Sequence, residues 1–174
     1  ELQAARVRTL PDSERRLAEA LAVHGGNVPL AHCLEIAAGE GIGDPYALLE
    51  NLVRESVLHN AGDAYALSYD ALRDALLAEL TPERSRELHL RMGALIAADN
   101  ATDVMHKLDA GWHLLQGGER ERGAALLAEA GLSLGYSSDD LASAVPALRA
   151  ALEVYRAQNF SDYDRVRLLC PLAL

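Results

Sequence analysis

DPYALLENLVRESVLHNAGDAYALS, running from Asp44 to Ser68, decides the fold. Asp44 can cap a helix, and Pro45 suits the first turn, where its missing N–H costs nothing. Leu48, Leu49, Leu52 and Val53 then recur at helical spacing. After Val57 the period changes. Val57-Leu58-His59-Asn60 and Tyr65-Ala66-Leu67-Ser68 alternate around Ala61-Gly62-Asp63, which predicts a short hairpin and the only strand signal in the chain.

Upstream of this stretch, two more helices are expected. Residues 12–24 carry Leu17, Ala20, Leu21 and Val23 as an apolar stripe, with Asp12 or Ser13 as cap and Glu14 in the first turn. Gly25-Gly26 closes that helix in the left-handed manner. After an extended Val28-Pro29, residues 30–38 place Leu30, Cys33, Leu34 and Ala37 on one face. Three short helices and then a hairpin is the order of a winged helix, so 12–68 reads as a winged-helix-like domain.

From Tyr69 onward every segment reads as helical: 69–80, 81–96, about 103–116, 119–135, 139–157, and 162 to the end. The breaks between the later ones are short: Asp99-Asn100-Ala101-Thr102, Gly117-Gly118, Ser137-Ser138 and Asn159-Phe160-Ser161. Short connections between amphipathic helices predict antiparallel neighbours. Ala110-Gly111, Leu114, Gly118-Glu119, Gly123, Leu127 and Ala130 stand at spacings like those of a tetratricopeptide unit. Asp140, Ala144, Leu148, Ala151 and Leu152 match the second half of another, though not at the regular period of about 34 residues. The expected fold class is therefore mainly α. A winged-helix-like domain with one small β-hairpin leads into residues 69–174, a helical linker and an antiparallel tetratricopeptide-like solenoid.

Composition agrees with such a core and narrows the function. Half of the 174 residues are hydrophobic, with one Trp, one Phe and six Tyr among them, so small aliphatic side chains do most of the packing. No apolar run approaches the roughly 20 residues of a membrane span, and no signal-peptide pattern opens the chain. These features predict a cytoplasmic protein without a membrane partner. Cys33 and Cys170 stand far apart and outside any metal spacing, which favours free thiols. The chain begins without Met and stops at the apolar Cys170-Pro171-Leu172-Ala173-Leu174, so a piece of a longer polypeptide is expected.

Several chemistries find no support. His24, His32, His59, His89, His106 and His113 form no metal-ligand spacing with acidic or cysteine partners. His106 and His113 are two turns apart, roughly 10 Å by helical rise, too far to share one ion. Gly39-Glu40-Gly41-Ile42-Gly43 lacks both the preceding strand and the following Lys of a phosphate cradle, and reads as a flexible connection. No nucleophilic serine turn, cysteine–base pair or carboxylate pair is evident, so no catalytic residue, metal ligand or cofactor is assigned.

The residues that carry a resemblance are LPDSERRLAEALAVHGGNVPL (10–30), ALLENLVRESVLHNAGDAYALSYDALRDALLAEL (47–80) and TPERSRELHLRMGAL (81–95). Residues 10–155 resemble the region just after the nucleotide-binding core of STAND-class signalling ATPases. That class includes MalT-like and LuxR-type transcriptional regulators and some ATPase-linked protein kinases and cyclases. The resemblance implies a non-catalytic regulatory and protein-interaction segment that couples nucleotide state to a helical-repeat sensor. ATP or ADP would then belong to the parent protein, whose Gly-x4-Gly-Lys-Ser/Thr loop is absent from these residues. The implied partners are another protein or the parent's own ATPase core, with a small-molecule inducer on the repeats as a further candidate.

In that family a His-Asp pair opens the helix after the wing, and its His senses the bound diphosphate. Tyr69-Asp70 occupies the matching place, after Ser68. A phenol donates one hydrogen bond to phosphate but carries no positive charge near neutral pH. Nucleotide sensing by Tyr69 and Asp70 stands beside a plainer reading, in which Tyr69 packs at the helix start and Asp70 helps cap it. A second reading of the whole chain is a stand-alone helical scaffold or adaptor whose winged helix mediates protein–protein contact.

Winged helices often bind DNA, and charge tests that possibility. The whole chain carries −10, and residues 12–68 hold three basic residues (Arg15, Arg16, Arg54) against nine acidic ones, a net of −6. Duplex binding needs several cations to neutralise phosphates, and the hairpin has no Lys or Arg at all. The purified chain is therefore expected to leave duplex DNA unshifted at physiological salt. A salt-dependent, low-micromolar affinity for random duplex in an electrophoretic assay would overturn the charge argument.

Overall fold

The computed structural model of the chain describes residues 2–99, 103–137, 141–158 and 168–169. Along the chain these form α1 (Leu2–Thr9), α2 (Asp12–His24), β1 (Val28–Pro29), α3 (Leu30–Gly39) and α4 (Pro45–Arg54). The hairpin strands β2 (Leu58–Asn60) and β3 (Ala64–Leu67) follow, then α5 (Asp70–Glu79) and α6 (Pro82–Ala98). Next come α7 (Val104–Gly117), α8 (Arg120–Ser137) and α9 (Leu141–Ala157). The chain is mainly helical with one small antiparallel sheet. Among the described residues no helix is long and apolar enough to cross a membrane. Of the helix expected from residue 162 onward, only 168–169 fall within the described residues, and Leu168 is buried.

Two compact units divide at Leu88 and His89, within α6, rather than at Ser68 and Tyr69. In the first, α2, α3 and α4 bury Leu17, Leu21, Ile36, Leu49 and Leu52. Asp44 caps α4 as its sequence predicts, its side chain accepting a 3.1 Å hydrogen bond from the Ala47 N–H. At α2 the expectation of a side-chain cap fails. Pro11 occupies the N-cap position, no side chain bonds the first N–H groups, and Asp12 lies inside the first turn, where it meets the helix dipole and accepts a 3.1 Å hydrogen bond from Arg15.

The hairpin forms with the register Leu58 opposite Leu67 and His59 opposite Ala66. A third strand joins it: β1 pairs with β3, Val28 opposite Tyr65 and Pro29 opposite Ala64, giving the order β1-β3-β2. Two residues show no alternation, so β1 read from sequence only as an extended segment. Sequence periodicity also missed α1, whose Val7 is buried while Arg8 pairs with Glu79 of α5 at 2.7 Å. A helix this short is made by the neighbour it rests on. That neighbour is α5, which packs on α1 and α2 through buried Leu72 and Leu76 and so belongs to the first unit.

In the second unit α7 packs on α8 and α8 on α9, around Leu108, Leu127, Leu148 and Leu152. Asp103 caps α7 by accepting the Met105 N–H at 2.9 Å. The helices approach closely where glycines meet. A Cβ added at Gly123 of α8 would stand 2.7 Å from the Leu115 backbone nitrogen and 2.8 Å from the Gly111 carbonyl oxygen, both of α7. Backbone cannot yield as a side-chain tip can.

Gly123→Ala is accordingly expected to destabilise the chain by about 1–3 kcal/mol, the usual cost of overpacking, although alanine is the better helix former. Gly43→Ala, where an added Cβ meets nothing within 4 Å, should change stability by less than about 0.5 kcal/mol. Urea unfolding followed by circular dichroism compares the two, and equal midpoints would contradict the close-approach account.

Candidate functional site

Tyr69 and Asp70 lie at the junction between the hairpin and α5. The hairpin's end is held by the Ser68 N–H, which donates to the Val57 carbonyl at 3.0 Å. Tyr69 is the N-cap residue of α5 in extended conformation, and its carbonyl accepts from the N–H groups of Leu72 and Arg73. The residue is 52 % exposed, and among the described residues its hydroxyl has no hydrogen-bond partner. Asp70 does not cap the helix. It is the first helical residue, exposed, and the N-cap position makes no side-chain bond. Its carboxylate meets the positive end of the helix dipole instead.

One turn further, Arg73 ties α5 to the end of α2. Its Nε–H donates to the Ala22 carbonyl at 2.9 Å, one of the carbonyls a helix end leaves open. Gly25 follows at φ +76°, and a Cβ there would fall 2.6 Å from Arg73 Nη2. The left-handed cap favours glycine at this position, and a Cβ there would also press on the guanidinium. The Tyr69 junction is thereby fixed to α2 from the second turn of α5.

A second feature of this unit is a partly buried ion cluster. Arg84 in the first turn of α6 stands 2.9 Å from Glu40, 2.9 Å from Glu87 and 3.5 Å from Glu19 of α2. Arg16 of α2 lies 3.8 Å from the Glu40 carboxylate and donates to the Glu40 carbonyl at 3.1 Å. The Glu40 side chain is only 5 % exposed. Burial would lower the Arg84 pKa, but the Glu87 hydrogen bond and the adjacent Glu40 and Glu87 carboxylates outweigh that and hold it above the ordinary guanidinium value. Arg84 Nη2 and Arg15 Nε are buried without good hydrogen-bond angles, so charge proximity carries part of the cluster. The surroundings of Glu40 also correct the expectation of a flexible glycine connection. The Ile42 N–H donates to the Ala37 carbonyl at 2.9 Å and Gly41 takes φ +69°, so this run is a fixed helix cap.

The cysteine and histidines fall where no catalytic geometry arises. Cys33 is a free, buried thiol whose pKa is pushed up to about 12 by burial, so it carries no thiolate near neutrality. Among the described residues no group of three His, Cys, Asp or Glu could hold a metal ion. Sequence spacing gave no sign of an imidazole–imidazole contact in the second unit. His89 of α6 and His113 of α7 approach with Nδ1 atoms 3.0 Å apart and ring centroids 5.1 Å apart. One Nδ1 must carry a proton and the other accept it, so the contact survives with one ring charged but not with both. Burial holds the His89 pKa below its ordinary value.

The second unit also carries an open groove of about 460 Å3, between Trp112 of α7 and Arg149 of α9 and reached by Arg120 at the start of α8. None of these three stood out in the sequence as a functional residue, because each becomes distinctive only beside the others.

Comparison with protein-family models, with curated proteins and with solved structures gives no match for this chain.

The His89 shift fixes the sign of a pH dependence. An unfolded histidine binds its proton from about pH 6.5 downward. The folded state takes that proton only at a lower pH, so the contribution is present above about pH 6.5 and is lost as pH falls through the folded value. Stability should therefore decline below about pH 6.5, and His89→Asn should flatten that part of the profile. Urea midpoints between pH 5 and 8 measure it, and an unchanged slope in the variant would remove His89 as the cause.

Proposed function

We propose that this chain is a non-catalytic regulatory and protein-interaction segment of a cytoplasmic STAND-type signalling ATPase. On this reading residues 12–68 form a winged-helix module, and the later helices form a tetratricopeptide-like array that receives a protein partner. The order α2, α3, α4, then the β2–β3 hairpin supports the first assignment. The serial packing of α7 on α8 and α8 on α9 supports the second. The resemblance of residues 10–155 to the region after the STAND nucleotide-binding core joins the two.

The observation that carries the nucleotide half is the exposure of Tyr69. Tyr69 is 52 % exposed at the N-cap of α5, its hydroxyl free of described partners and so open to a ligand. A phosphate placed there would accept the phenolic hydrogen and meet the positive end of the α5 dipole. Asp70 would hold no phosphate itself. Its role is to stabilise the helix start from which Tyr69 projects.

Tyr69→Phe in the parent chain, ATPase core included, tests the reading while preserving the ring. A hydrogen bond to a charged group contributes roughly 1.5–3 kcal/mol, so ADP should bind about ten- to a hundredfold more weakly. Isothermal titration of ADP into both proteins decides it. Unchanged affinity would reject the sensing role and leave Tyr69 as a surface aromatic.

A further inference from the structure

Electrostatics single out the groove of the second unit. Trp112 and Leu115 of α7 and Pro146 of α9 give it an apolar wall, while Arg120, Arg149 and Glu153 give it charge. Its volume of about 460 Å3 lies within the roughly 300–1,000 Å3 common for ligand sites. Several arginines are engaged elsewhere: Arg8 with Glu79, Arg73 with Ala22, Arg84 with Glu40, and Arg122 with Glu119. Among the described residues, neither Arg120 nor Arg149 has a hydrogen bond or an ion pair, not even Arg149 with Glu153 one turn away.

Arg120 is also badly placed for its own helix. It opens α8, where the dipole favours an anion and disfavours a cation. An arginine that breaks a local rule without an internal partner is relieved by an external anion. The chain as a whole carries −10, and Glu119 and Glu121 flank Arg120. A long polyanion would meet those carboxylates outside the groove. A short ligand with two carboxylates and an apolar group between them could meet the two arginines and the indole while lying clear of Glu119 and Glu121.

We infer that this groove binds an acidic peptide segment of a partner protein, its carboxylates on Arg120 and Arg149 and an apolar side chain against Trp112. The inference rests on reading the second unit as a partner-binding array and names the chemistry of that partner. Arginine supplies a planar fork that matches carboxylate, and the indole offers a flat apolar face. Glu153 limits the site. It repels a carboxylate placed toward the far end of α9 and so sets which way the acidic segment lies.

Trp112 is the only tryptophan in the chain, so its emission reports the groove directly. The probe is a blocked peptide of sequence Glu-Glu-Leu-Glu-Glu titrated into the whole chain, beside Lys-Lys-Leu-Lys-Lys and a single-stranded oligonucleotide of equal charge to the acidic peptide. The acidic peptide should change the emission saturably, more weakly as salt rises, and the two controls should not. Arg120→Glu and Arg149→Glu should each weaken binding roughly tenfold or more, because attraction becomes repulsion. Glu153→Gln should strengthen it about two- to fivefold, a gain that loss of the fold cannot imitate. Absence of a saturable change, equal binding of either control, or unchanged affinity in Arg149→Glu would overturn the proposal. So would an emission change that follows the chain's own concentration without peptide, which would make a second copy the occupant. The ADP titration of Tyr69→Phe reads the first unit, so failure here leaves that measurement standing, and failure there leaves the groove to be judged on the peptide.

Discussion

Where α7 crosses α8, the backbone itself is the packing surface. Gly111 and Gly123 bring the two chains so near that the carbonyl of one occupies the space a side chain of the other would need. The same device recurs nearby: a Cβ at Gly117 would fall 2.7 Å from the Leu90 backbone nitrogen, and one at Gly131 would fall 2.8 Å from Leu148. Close approach of this kind lets small Ala and Leu side chains fill the core, which suits a chain half hydrophobic yet nearly free of Phe and Trp. The groove follows from the same spacing. Because α8 meets both α7 and α9, Trp112 packs partly buried against the edge of that core and lines the groove.

The first unit uses a different economy, in which polar groups fasten what the small apolar core begins. β3 is the central strand and pairs on both edges, so the hairpin and the segment before α3 share one register. Arg73 completes the end of α2, and the Arg84 cluster brings the start of α6 to α2 and the loop after α3. Replacing a buried ion cluster with apolar groups is often neutral or stabilising, so the cluster is better understood as fixing geometry than as supplying stability. The exposed Tyr69 sits along the chain between β3 and Arg73.

What could be read from the sequence was local. The Asp44-Pro45 start of α4, the left-handed Gly25 end of α2 and the hairpin turn are each written in two to four adjacent residues, and each stands where expected. Features that need two distant segments were silent. Val28-Pro29 becomes a strand only because Tyr65 and Ala64 lie opposite, and Leu2–Thr9 becomes a helix only on α5. The contact of His89 with His113 and the groove around Arg120 and Arg149 depend on packing that no periodicity encodes. Tyr69 and Asp70 were singled out by resemblance alone. The side-chain cap expected at Asp12 or Ser13 failed because Pro11 took the boundary, one residue earlier.

Pro29 has a consequence beyond its own short strand. β1 forms one edge of the sheet, and a proline there removes an N–H that an incoming strand would have to use. The opposite edge, β2, is three residues long. Edge strands that are short or interrupted are poor templates for adding another chain by backbone pairing. The sheet thus offers little purchase for self-templated aggregation, and a partner gains little from it by adding a strand.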